Sequence, residues 1–221
     1  MDAMKRQGDV TAAVRYFREA LAINPRHEDS HYYLANALAA QGDVAGAVDE
    51  LDALTSVNPQ SHRGFQRKGE LQAASAGSKA QLETARQTLN QSLRLNSEET
   101  GTLTLLGEVA LALGDLDGAE RHLAHACQAN ARAAGAWYLR GYIAWRRGDQ
   151  VAASTLLARA REARGKDWKP AGSALEGDVK RQMFREAGFL NVFEKRWDGG
   201  LVPSAAFVAL HSYLSNPYAR R

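Results

Sequence analysis

The residues with chemistry to offer are few and scattered. His122 and His125 stand three apart in "AERHLAHACQA", so on a helix both imidazoles share a face, where a metal ion would need a third ligand. No carboxylate stands one turn away on that face, and solvated surface histidines are the reading this spacing supports. "HEDSH", His27 to His31, has the letters of a zinc-protease motif, but it lies across a turn between repeats rather than on one helix. Glu70 and Glu108 occupy equivalent phases of neighbouring repeats, which raises the idea of a paired-carboxylate site. Polar residues at such matching positions are better read as ligand contacts. Cys127, beside Ala126 in a helical stretch, reads as packed and unreactive. As the only cysteine, it builds neither an intrachain disulfide nor a cysteine zinc site. The sequence contains no G-x-G-x-x-G, no phosphate loop and no G-x-S-x-G. No catalytic residue, metal or cofactor is therefore assigned, and the chain is expected not to be an enzyme.

What positions these residues is helix. The chain has 221 residues, of which 45% are hydrophobic and 24% charged, with only five prolines among many Ala and Leu, the residues that lose least on entering a helix. The formal net charge of +3 is too mild to mark a nucleic-acid partner. No run of about 18 apolar residues is present, so no transmembrane segment is expected. "MDAMKRQGDV" lacks the apolar stretch of a signal peptide. A cytoplasmic location is expected, with a periplasmic one left open should a signal lie upstream of Met1.

The chain repeats itself. Gly8-Asp9 and Gly42-Asp43 are 34 residues apart, as are Gly114-Asp115 and Gly148-Asp149. Ala13, Ala47, Ala85, Ala119 and Ala153 keep one phase with gaps of 34, 38, 34 and 34. One repeat thus lacks the dipeptide and carries a four-residue insertion near 73–83, where "AASAGSKAQLE" has the Gly and Ser of a lengthened turn. Asn24, Asn58, Asn96 and Asn130 close successive units, with Pro25 and Pro59 after the first two. Each unit makes sense as two antiparallel helices. The Gly takes positive φ and stops the first, and the Asp caps the second. The Ala allows close approach, while Phe17, Leu51, Leu89, Leu123 and Leu157 lie on the same face as core.

This pattern resembles the tetratricopeptide repeat, or TPR, with its aromatic, Gly, Ala, aromatic and Pro at set phases. Trp137, Gly141, Gly148, Ala153, Leu157 and Ala160 match it in order. So do His31, Leu34, Ala35, Gly42, Ala47, Leu51 and Pro59, with His31 in the aromatic slot. Phe65, Gly69, Ala85 and Leu89 match in the third unit, and Leu103, Leu106, Gly107, Gly114, Ala119, Leu123 and Ala126 in the fourth. The resemblance implies an all-α fold, a right-handed superhelical stack of antiparallel helix pairs with C-terminal capping helices. The solenoid is expected over 1–163 and a helical extension over 164–221. The first unit departs from the family, because Met1 falls on the phase of Gly107 and Gly141 and too few residues precede Gly8 for a full first helix. That points to a chain cut inside a helix.

In this family the first helices of successive units line a concave groove that holds a peptide or a helix. By phase, the resemblance puts Tyr32 and Asn36 there from the second unit, Arg63, Gln66 and Glu70 from the third, and Thr104 and Glu108 from the fourth. Tyr138, Tyr142, Trp145 and Arg146 come from the fifth, the three aromatics forming one helical stripe. That stripe serves either partner contact or packing beneath a cap. A chaperone-tail carboxylate clamp is not expected: Asn36 holds one of its phases, but Tyr32, Arg67, Gly101 and Leu105 hold others. The implied function is a non-catalytic scaffold that binds a partner protein or peptide through the groove, within a multi-protein assembly. The alternative is a regulatory or targeting segment of a longer enzyme whose catalytic part precedes Met1.

Beyond Ala163 the period fails. Helices are expected over 178–195 and 204–215, the first mixing Phe184, Phe189, Phe193 and Trp197 with Lys180, Arg181, Arg185 and Lys195. Nucleic acid or an anionic membrane would suit that mixture. Covering the exposed apolar face of the last repeat suits it better.

Overall fold

The computed structural model describes residues 10–164, except the side chains of Trp145, Gln150, Ser154, Leu157, Arg161 and Arg164. Among the described residues the chain forms helices and no strand: α1 Val10–Ile23, α2 Glu28–Ala40, α3 Val44–Val57, α4 His62–Ala74, α5 Lys79–Leu95, α6 Thr100–Leu113, α7 Leu116–Ala129, α8 Ala134–Arg146 and α9 Gln150–Arg164. The Gly8-Asp9 copy and both helices expected in the C-terminal extension lie outside the described residues.

The turn chemistry explains why the helices stop and restart. Gly42, Gly114 and Gly148 have φ of 87°, 84° and 82°, a conformation that costs an L side chain energy and glycine nothing. The next residue caps the following helix. Asp43 accepts from the Gly46 amide at 2.9 Å, Asp115 from Gly118 at 2.8 Å and Asp149 from Ala152 at 2.9 Å. The recurring asparagines close each unit in a different way. Asn24, Asn58 and Asn130 each accept from the amide two residues on, at 3.1, 2.9 and 2.9 Å, which turns the chain toward the next helix.

The insertion behaves differently from the lengthened turn its Gly and Ser suggest. The α4–α5 connection, 75–78, is one residue longer than its counterpart at 41–43. The other residues extend α5 to 17 residues, against 14 in α3 and α7. Ser78 caps this longer helix by accepting from the Gln81 amide, and the Gln81 side chain reaches back to accept from the Gly77 amide at 2.7 Å. A reciprocal cap of this kind starts a helix early, and Lys79–Glu83 is good helix-forming sequence.

The chain divides into two compact units, Met1–Ser97 and Glu98–Arg221. In the first, α1, α2, α3, α4 and α5 pack consecutively. Its core holds Ala13, Val14, Leu34, Ala35, Leu51 and Leu54. In the second, α6, α7, α8 and α9 pack consecutively and α6 also touches α8. Leu103, Leu106, Leu123, Leu139 and Ile143 are buried there. Small residues set the spacing within the pairs. Ala47, Ala85, Ala119 and Ala153 are fully buried. A Cβ added to Gly69 would lie 2.6 Å from Leu89 Cγ, and one added to Gly107 would lie 2.5 Å from Leu123 Cγ. Among the described residues no helix is long and apolar enough to cross a membrane.

Candidate functional site

In the first unit, α2 and α4 are the first helices of successive repeats, so residues 34 apart share a phase. Asp29 and Arg63 are such a pair, and they form an ion pair across the two helices. The Arg63 guanidinium also lies 4.8 Å from the centre of the Tyr32 ring. Tyr32 is braced from behind: it meets Tyr33 edge-on at 5.6 Å, and Tyr33 stacks on Phe17 of α1 at 5.8 Å. Asn36 Nδ2 donates to the Tyr32 carbonyl at 3.0 Å. One turn beyond Arg63, Arg67 donates to Glu70 at 2.7 Å. Gln66 and Glu70 are half-buried on α4.

The hydrogen bond from Arg63 holds the Asp29 carboxyl below its ordinary value, and the same bond raises Arg63. Tyr32, Asn36, Arg63, Gln66 and Glu70 thus come from two helices of one unit, half-exposed and largely polar. Asp29 and Arg67 complete this face; Arg67 holds one of the clamp phases read from the sequence, whereas groove phase did not reveal Asp29. Opposite charges one full period apart were the available signal for Asp29.

In the second unit, half-buried Thr104 uses its hydroxyl on its own helix, donating to the Thr100 carbonyl at 2.7 Å. Glu108 is half-buried on the same helix. The aromatic stripe of α8 turns inward: Tyr138 is 1% exposed and Tyr142 is 4% exposed. Burial pushes the Tyr138 phenol far above its ordinary pKa. Both rings are thus interior, and the cap expected to cover the stripe lies outside the described residues. The Trp145 side chain lies outside the described residues. Arg146 is exposed and donates to the Tyr142 hydroxyl at 2.8 Å.

Of the histidines that raised metal binding, His27, His31 and His125 have partners within the chain. His27 caps α2, its Nδ1 accepting from the Ser30 amide at 3.2 Å. His31 is buried in the aromatic slot, its ring nitrogens 2.7 Å from Glu50 Oε2 and 2.9 Å from the Pro25 carbonyl oxygen. His125 lies 3.1 Å from Glu98, a carboxylate brought in from the turn before α6. Among the described residues no three His, Cys, Asp or Glu side chains converge as a metal site would require. Glu70 belongs to the first unit and Glu108 to the second. Cys127 is buried, which pushes its thiol up to about 11 against the partial relief offered by Arg140.

Comparison with known proteins bears on this architecture directly. Family models described as tetratricopeptide repeat match residues 5–67 and 104–167, together more than half the chain. The crystal structure of MamA is similar with a TM-score of 0.65 at 18% identity, over 72% of this chain and 91% of that one. A thermophilic TPR protein of Thermus thermophilus is 25% identical with a TM-score of 0.58, over 72% of this chain and 86% of that one. The probable biofilm formation methyltransferase WspC of Pseudomonas putida is 46% identical over 41 residues, 19% of this chain and 10% of that protein. The chain thus spans about a tenth of the length of that curated relative. With the 34-residue phase, the glycine and aspartate turns and the helix pairs all in agreement, the chain belongs to the tetratricopeptide repeat family, whose fold serves as a scaffold for protein–protein contacts.

Proposed function

We propose that this chain is a non-catalytic scaffold that holds a partner protein by a segment laid along the first helices of its repeats. The α2/α4 face supports this reading most. Tyr32, Asn36, Arg63, Gln66 and Glu70 stay half-exposed there, while the packing phases of the same helices, Leu34, Ala35 and Leu71, are buried. An exposed aromatic ring, two amides and charged groups on rigid helices suit side-chain and backbone contacts to another chain. In the second unit, taken by itself, Thr104, Glu108 and Arg146 are the proposed contacts, while Tyr138 and Tyr142 are buried. Capture of partners by the 221-residue chain, followed by affinity measurement on an Asn36→Ala, Gln66→Ala double variant, tests the assignment. Affinity should fall about tenfold, within the range of interface truncations, with the thermal midpoint unchanged. Unchanged affinity would remove the face from the proposal.

A second reading takes the repeats as a regulatory or targeting part of a longer enzyme. The 41-residue match to a probable methyltransferase favours it. Reading the genome upstream of the Met1 codon tests it: an open frame encoding a catalytic domain would support it, and an in-frame stop codon immediately upstream would sink it.

A further inference from the structure

We propose that Arg63 is a receptor for partner carboxylates that the chain keeps covered with its own Asp29, so that the segment bound on the α2/α4 face is an acidic one. The inference rests on the reading of that face as the binding surface. α4 carries Arg63, Arg67 and Lys68 against Glu70, and each of the three cations already holds a carboxylate of its own chain: Asp29, Glu70 and Asp52 respectively.

In both pairs on the face, the cation is the more enclosed partner. The Arg63 side chain is 39% exposed against 57% for Asp29, and Arg67 is 25% exposed against 43% for Glu70. Arg63 is further pinned over the Tyr32 ring. Asp29 is therefore the exchangeable half. One carboxylate can replace another on a guanidinium with little reorganisation, since its planar fork of donors suits any carboxylate. The Arg63 fork also has further donors, since the Asp29 contact uses its Nη2. The opposite trade, a basic segment drawing Asp29 and Glu70 away, would leave two half-enclosed guanidinium groups without counter-ions, which is the costlier state. Asp29 thus acts as an internal competitor that sets a threshold for partner acidity.

Fluorescence anisotropy on the 221-residue chain tests this with a short labelled peptide alternating Glu and Gly. Both ends are blocked, so that only side-chain carboxylates are offered, and Gln-for-Glu and Lys-for-Glu counterparts serve as controls. The acidic probe should bind tightest. Asp29→Asn should tighten it roughly two- to fivefold, as expected for release of an exposed ion pair. Arg63→Gln should weaken it about tenfold, the scale of one charge-assisted hydrogen bond, and Arg63→Lys should recover part of the loss. Circular dichroism checks that each variant is folded. Acidic-probe binding that is undetectable, indifferent to Asp29→Asn, or weaker than Lys-probe binding would overturn the inference. If the Asn36→Ala, Gln66→Ala pair weakens the Gln probe while Asp29→Asn changes nothing, the face stands and the carboxylate inference falls.

Discussion

Tyr32 and Tyr138 stand at the same phase of the repeat, as do Asn36 and Tyr142, yet α2 and α8 use that phase in opposite ways. On α2 the ring is half-exposed, carries the Arg63 guanidinium and sits beside Asp29. On α8 both rings are buried, in a unit where α6 supplies Leu103, Leu106, Val109, Ala110 and Leu111 to the interior. The repeat phase settles which side of a helix a residue leaves from. The residues it meets decide whether that side becomes surface or core, and a charged pair in register keeps a face open because burying it is costly.

The sharpest way to break this comparison is to truncate both tyrosines. Tyr138→Ala should cost about 3–5 kcal/mol of unfolding free energy, the usual loss on removing a large buried aromatic. Tyr32→Ala should cost less, about 1–2 kcal/mol, since its half-exposed ring packs only partly against the first unit's core and Tyr33. Urea titration of both variants checks the contrast, and equal losses would erase it.

A smaller effect is expected at the helix crossings. Gly107→Ala should destabilise by about 1–3 kcal/mol, because the new Cβ would press on Leu123 Cγ, an atom with little room to swing away. In the first unit α4 carries Gly69 at that phase but α2 carries Ala35, fully buried without disrupting its helix pair. Ala35→Gly should therefore open a gap there and give no stabilisation, and a stabilised variant would show that the two crossings are not distinguished by spacing.

The smallest effect belongs to the surface pair. Asp29 is held below its ordinary pKa by Arg63, so its contribution to stability is complete above the usual aspartate range and is lost as pH falls through the lowered value. Asp29→Asn should flatten that acid limb by only about a few tenths of a kcal/mol, because the carboxylate is largely exposed. Urea midpoints measured across the acid range for both chains give the answer.

Much of the architecture was readable because its turns carry their own instructions. Gly42, Gly114 and Gly148 needed positive φ and an Asp cap after them, and a dipeptide encodes both. The insertion misled because Gly77 and Ser78 look like loop residues. Ser78 is a cap, and the helix formers behind it extend α5. For the site, periodicity was enough to put Tyr32, Asn36, Arg63, Gln66 and Glu70 on α2 and α4. It could not reveal the inward turn of Tyr138 and Tyr142, which depends on neighbours distant in sequence. Nor could it bring Glu98 to His125, which lies 27 residues away on another element.

Hydrogen–deuterium exchange on the 221-residue chain, alone and with a captured partner, tests the central claim most directly. Exchange should slow along α2 and α4, the helices that carry Tyr32, Asn36, Arg63 and Gln66, with the interior of α8 already protected in the free chain. Partner protection confined to the second helices, α3 and α5, with α2 and α4 unchanged, would contradict that claim.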